Sequence, residues 1–316
     1  MNERYQVDHK LKVASDYEAQ GKNLHAIQLY NSIMDEYPEF KEVYFYLAEL
    51  YEKMGNLEPA YNLLYSLLNK EPGNNEVRLF LGQFLLRNAK WEEAIEILSL
   101  ILPEENHIVS FFLGYSHFIL KEYEMAKVNF QNYVSFAKSI SKEHPEEDSQ
   151  NEQTELLYEA DLYLAKIEIE LGNFESALNY VKKTDTIYSN FWELNLIYSI
   201  IYYNLGMYAH AVVPVEKAIR LNPKEAVSYE WGGKIYLKLG DYLKAEKFFL
   251  KYIEQMDNVS SDIYTKLGQA CLNASKTKDA LTYFDVALKL DPENIFAKKG
   301  KENAVLILNK NKASDG

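Results

Sequence analysis

Small residues recur along this chain at a fixed spacing of 34, and that period constrains the fold more than any other feature of the sequence. Alanines placed just before an apolar run serve as the ruler: Ala26, Ala60, Ala94, Ala126, Ala177, Ala211, Ala245 and Ala280. Their spacings are 34, 34, 32, 51, 34, 34 and 35, so about eight units of one length account for most of the 316 residues. A period in this range means one supersecondary unit repeated, each copy burying the apolar face that its neighbour leaves open.

The second unit shows the pattern best. Leu47, Ala48, Tyr51, Gly55, Ala60, Leu64, Leu67 and Pro72 are its fixed points. Gly21, Gly55, Gly172, Gly206 and Gly240 stand where a first helix must end, since glycine adopts the positive φ of a helix C-cap at low cost. Pro38, Pro72, Pro223 and Pro292 stop a second helix, having no N–H to continue it. Gly82, Gly114, Gly233 and Gly268 are small residues inside the first helix, where two helix backbones come close.

These residues resemble the tetratricopeptide repeat, whose pattern is W-x2-L-G-x2-Y, then A-x3-F, then A and P. The resemblance implies an all-α, right-handed α-solenoid of about eight helix-turn-helix repeats plus a C-terminal capping helix. The predicted organisation is a four-repeat array over 7–140 with a lengthened last helix, an acidic polar loop over 141–153, a second four-repeat array over 154–293, a capping helix over 294–310 and a disordered tail over 311–316. The loop is placed where the spacing jumps to 51 and the sequence reads SKEHPEEDSQNEQ.

Charge and chemistry narrow the function classes. A net charge of −13 repels phosphate backbones, so nucleic acid is not the expected partner. The first residues lack the apolar core of a signal peptide and no stretch is apolar enough to span a bilayer, which predicts a cytoplasmic protein without a membrane span. The single cysteine, Cys271, falls where the repeat places a core tyrosine and is expected to be a buried, inert thiol. His117 falls at the same core position of its own repeat and is read as a packed or rim side chain. No histidine pair has the i, i+4 spacing of a helical metal site, and no nucleophile elbow or phosphate loop is present. The chain is therefore expected to be non-catalytic, with no cofactor and no metal.

Function then falls to the inner face formed by successive first helices. With each ruler alanine numbered position 20, positions 4, 7, 8 and 11 face the paired helix. Positions 2, 5, 9 and 12, with 6 and 13, form the other stripe, which lines the groove in members of the resembled family. The first repeats place Asp8, Glu18, Glu42, Glu49, Glu52 and Glu76 there against Lys12, Lys53 and Arg87. The lysine, asparagine and arginine set that family members use to clamp chaperone carboxylates is absent.

The fourth repeat is different, since Ile108, Phe111, Phe112, Tyr115, Phe118 and Ile119 leave its stripe uncharged. Three covers compete for these rings: the fold itself, a partner segment with apolar anchors, or a second copy of the chain. The candidate partner-binding residues are Phe45, Tyr46, Phe80, Phe111, Phe112, Tyr115, Phe118 and Tyr163, with Trp231 and Lys234 further along. The expected function is a scaffold or adaptor that binds a protein or peptide carrying apolar anchors and basic flanks. The alternative is a regulatory or substrate-recognition subunit of a multi-protein enzyme complex.

Overall fold

The computed structural model describes residues 3–143, 152–188 and 190–314. It falls into two compact blocks, 1–147 and 148–316. Among the described residues the only regular elements are α-helices. In the N-terminal block these are α1 (Glu3–Ala19), α2 (Asn23–Glu36), α3 (Glu42–Lys53), α4 (Leu57–Lys70), α5 (Asn75–Arg87), α6 (Trp91–Leu98), α7 (Ile108–Ile119) and α8 (Tyr123–Glu143). In the C-terminal block they are α9 (Glu152–Glu170), α10 (Phe174–Tyr188), α11 (Trp192–Asn204), α12 (Tyr208–Leu221), α13 (Ala226–Leu239), α14 (Tyr242–Gln255), α15 (Ser261–Asn273), α16 (Thr277–Leu290) and α17 (Ile295–Ser314). Within each block, odd and even helices pair as antiparallel hairpins and each hairpin packs on the next. Each block is a helical solenoid.

The repeat closes by size complementarity at two positions. All eight ruler alanines are fully buried. Position 8 of the first helix faces position 24 of the second: a Cβ added to Gly82 would lie 2.3 Å from Leu98, and one on Gly114 would lie 3.0 Å from Phe130. Gly233 and Gly268 meet Phe249 and Phe284 in the same way. Where position 8 is Ala14, Ala48, Ala165 or Ser199, the facing residue is Tyr30, Leu64, Val181 or Val215, and every one of these is buried. Close packing of this kind holds interiors at crystal-like density, so a methyl group at a glycine position would be felt.

The intra-repeat turn keeps one conformation in all eight hairpins. Five have glycine at positive φ, as expected; the other three have Ala89, Lys121 and Ser275, at φ 57, 60 and 64. The turn is enforced by its hydrogen bonds. Asn56 N–H donates to Tyr51 at 2.8 Å after Gly55, and Lys90 N–H donates to Leu85 at 2.9 Å after Ala89.

The last helix is built as a cap. Ala297 and Ala304 are fully buried, and Gly300 lies against Phe284. In α15 the face that meets a second helix carries Tyr264, Leu267 and Gly268; 34 residues later α17 presents Lys298, Lys301 and Glu302. Lys301 reaches back to Asp285 at 2.7 Å. The helix runs through Ser314 rather than ending at Lys310, which corrects the reading of 311–314 as a disordered tail; residues 315 and 316 lie outside the described residues. Of the expected acidic loop, residues 144–151 lie outside them too, while 141–143 belong to α8 and 152–153 to α9.

Candidate protein-binding inner face

The structure sorts the inner stripe into two classes that the sequence had merged. Successive residues on a helix are 100° apart, so position 5 lies deeper between neighbouring helices than positions 2, 6, 9 and 13 do, although Phe80 at position 6 still stacks on Phe45 and Tyr46 on Tyr30. Burial follows that geometry. At position 5, Phe45, Phe111, Leu162, Leu196 and Thr265 are buried, while Leu11, Leu79 and Glu230 are half-buried. At positions 6 and 13 the side chains are mostly half-buried or exposed, from Lys12 and Tyr46 to Lys238.

Two predicted anchors are therefore corrected. Phe45 is 9% exposed and stacks on Phe80, ring centroids 4.2 Å apart at 15°. Phe111 is 5% exposed and packs edge-on against Phe130 at 5.5 Å and Tyr133 at 5.4 Å. Both belong to the core between helices. Phe80, Phe112 and Tyr115 remain half-buried on the open side, joined by Ile119 at 38% exposure. Trp91 supports Tyr115 edge-on at 5.7 Å, and Tyr123 supports the half-buried Phe118 at 6.0 Å. The open part of the aromatic stretch in α5 and α7 is thus narrower than the sequence stripe, and it rests on packed aromatic rings.

Next to it, the acidic residues are largely knitted to neighbouring helices. Arg4 pairs with Glu42, and Arg87 with Glu52 at 3.0 Å, where Asn88 also donates at 2.7 Å. Lys53 reaches Glu18 at 3.4 Å. Glu49 and Glu76 carry no ion pair among the described residues. Tyr46, 46% exposed, stands over this region. Beneath it lies Tyr30 from α2, a residue the sequence stripe could not include because it belongs to a second helix.

The C-terminal block repeats the theme with different residues. A cavity of about 310 Å³ opens between α9 and α11, with Tyr163, Lys166 and Glu193 among its walls. Lys166 lies 4.8 Å from the Tyr163 ring centroid and 2.6 Å from Glu193. Further along, Trp231 is half-buried, edge-on to Tyr203 at 5.4 Å. Lys234 sits 4.2 Å over the Trp231 ring and 2.5 Å from Glu230, so its ammonium is already engaged.

The side chains with the most reactive chemistry, His117 and Cys271, are packed. His117 is 8% exposed with Nδ1 2.6 Å from Glu122 across the turn. Cys271 is fully buried, and burial, with the Glu246 and Asp279 carboxylates beside it, pushes its thiol up to about 12. Among the described residues no group of three or more His, Cys, Asp or Glu side chains is arranged to hold a metal ion, and no helix is long and apolar enough to cross a membrane.

Comparison with known proteins agrees with the hairpin geometry. Tetratricopeptide repeat models match residues 42–74, 59–107, 227–255 and 261–294. No curated protein sequence matches the chain. Among solved structures, one chain of the APC/C hetero-tetramer Cut9-Hcn1 is similar over 89% of this chain, with 17% identity and a TM-score of 0.59; this chain spans about half of its length, 52%. A tetratricopeptide repeat protein from Parabacteroides merdae is similar over 87% of this chain and 98% of its own, with 18% identity and a TM-score of 0.56. PilW, a type IV pilus biogenesis factor, is similar over 72% of this chain and 99% of its own, with 14% identity and a TM-score of 0.56. The structural likenesses are those of fold, and the matched repeats fall in both blocks, so that this chain belongs to the tetratricopeptide repeat family.

Proposed function

We propose that this chain is a non-catalytic scaffold that holds a segment of another protein against its inner face. The observation that carries the reading is the open aromatic stretch of α5 and α7. Phe80, Phe112 and Tyr115 stand half-buried there, with Ile119 more exposed beside them. An aromatic side chain can bury about 150–250 Å², so at about 25 cal/mol per Å² a partner that covered the remaining half of two or three rings would gain several kcal/mol. The fitting ligand is a peptide segment with apolar anchors, and Glu49 and Glu76 to one side, which carry no ion pair among the described residues, favour basic flanks. Tyr163, Trp231 and Lys234 stand at positions 6 and 9 of their own repeats in the C-terminal block.

Affinity capture with the wild type beside the Phe112→Ala/Tyr115→Ala double variant tests this. Loss of a specific partner with unchanged helical circular dichroism supports the reading. Unfolding of the double variant, or capture that survives it intact, overturns it. Varied clients in the capture fit an adaptor; one stoichiometric enzyme would instead make the chain a regulatory or substrate-recognition subunit.

A further inference from the structure

A cavity of about 370 Å³ opens between α1 and α3, within the size range of small-ligand pockets. Its floor is Tyr30, which is 2% exposed and donates its hydroxyl to Glu18. Burial first, and the Glu18 carboxylate second, hold that phenol well above its usual range, so it stays a donor and fixes Glu18 in place. Above the floor, the Tyr46 ring stacks on Tyr30 at 6.4 Å and 18°, and Tyr46 as a whole is 46% exposed. Glu49 lines the wall and has no ion pair among the described residues. Glu18, with a side chain only 17% exposed, has Lys53 at a long 3.4 Å, and Lys53 itself is 66% exposed. Lys12 is the remaining charged residue of the lining and is exposed. Carboxylates therefore sit in the walls while the lysines stand toward solvent.

That arrangement selects among side chains. An anion would face Glu18 and Glu49, and an apolar group would strip water from both without replacing it, which is costly. A guanidinium answers each feature. Its plane stacks on an aromatic face, its fork serves carboxylates with more than one N–H, and it is more weakly hydrated than an ammonium. We propose that the cavity receives an arginine side chain of the partner segment, its guanidinium stacked on Tyr46 and donating to Glu49 and Glu18 in place of the long Lys53 contact. The proposal rests on the reading that the inner face holds a protein segment.

The test uses three defined probes with the full chain: acetyl-Gly-Arg-Gly-amide, the same tripeptide with neutral citrulline, and agmatine. Binding is read from the ring resonances of fluorotyrosine-labelled protein, Tyr46 being assigned with its Tyr46→Phe variant. The arginine tripeptide should shift Tyr46 and bind at least roughly tenfold more tightly than the citrulline one, and Glu49→Gln should weaken it roughly tenfold, the size of one lost charge-assisted hydrogen bond. The Phe112→Ala/Tyr115→Ala variant should keep full affinity for the probe, because α7 contributes nothing to the cavity, so failure here and failure of partner capture at α7 are read separately. Equal binding of the citrulline peptide, an unchanged affinity in Glu49→Gln, or tighter binding of agmatine than of the tripeptide would each overturn the proposal.

Discussion

The eight turns supply an internal experiment, because the same backbone conformation is held with glycine in five repeats and without it in three. Gly55 has φ 76 and no atom within 4 Å of where a Cβ would stand, so Gly55→Ala changes the backbone preference and nothing else. Ala89, at φ 57, is the reverse case one repeat later. A non-glycine residue in this left-handed region costs about 1–2 kcal/mol. The stiffer unfolded chain of alanine returns about 0.4–1 kcal/mol of that. Gly55→Ala should therefore destabilise by about 1 kcal/mol, and Ala89→Gly should stabilise by a similar amount. The double variant should return close to wild type. Urea unfolding followed by far-ultraviolet circular dichroism reads these values as midpoint shifts at constant slope, since neither change alters the surface exposed on unfolding. Shifts of the same sign in the two single variants, or a loss of stability in Ala89→Gly, would refute the account of the turn.

Three further outcomes follow from the packing. Gly233→Ala places a Cβ 2.6 Å from the Phe249 ring and should cost about 1–3 kcal/mol by overpacking, with partial rescue by Phe249→Leu, read as paired thermal midpoints. For Cys271, a thiol raised to about 12 in the folded chain contributes stability that is complete below its ordinary value of 9.0 and is lost as the pH climbs from there toward 12. Cys271→Ala should accordingly narrow its stability deficit by up to about 1.4 kcal/mol per pH unit above that value. In the native wild type at neutral pH a thiol reagent should label Cys271 only as fast as the chain unfolds; immediate stoichiometric labelling would show the site to be open.

Much of the fold could be read from the chain because its signals are local and repeated. The ruler alanines and the glycines at position 8 report contacts within one hairpin, where a side chain and its partner are fixed 16 residues apart, as in Gly82 with Leu98 and Gly268 with Phe284. The turns at Ala89, Lys121 and Ser275 carry no such sign. Their hydrogen bonds impose a conformation that the residue type does not advertise, and only their place in the period points to it.

The site was harder to read for a geometric reason. Phe111 and Phe112 are adjacent and chemically alike, yet one turn of 100° buries the first between helices and leaves the second half-open. Periodicity within a single helix separates the face toward the paired helix from the rest, and it stops there. Which side of the remainder faces the next repeat depends on the angle at which hairpins stack, and that angle is set by contacts between residues about 34 apart, such as Phe45 on Phe80. Tyr30 shows the same limit from the other direction: as the partner of Ala14 it reads as core, and its hydroxyl becomes the floor of a cavity only because α1 and α3 leave a gap above it. A family of this kind keeps its hairpin constant and varies its seams. The binding chemistry proposed above therefore draws on pairings between repeats, such as the Glu18 and Glu49 walls around Tyr46, and substitutions at exposed residues of the inner stripe, such as Tyr46 and Ile119, should alter partner choice while leaving the fold intact.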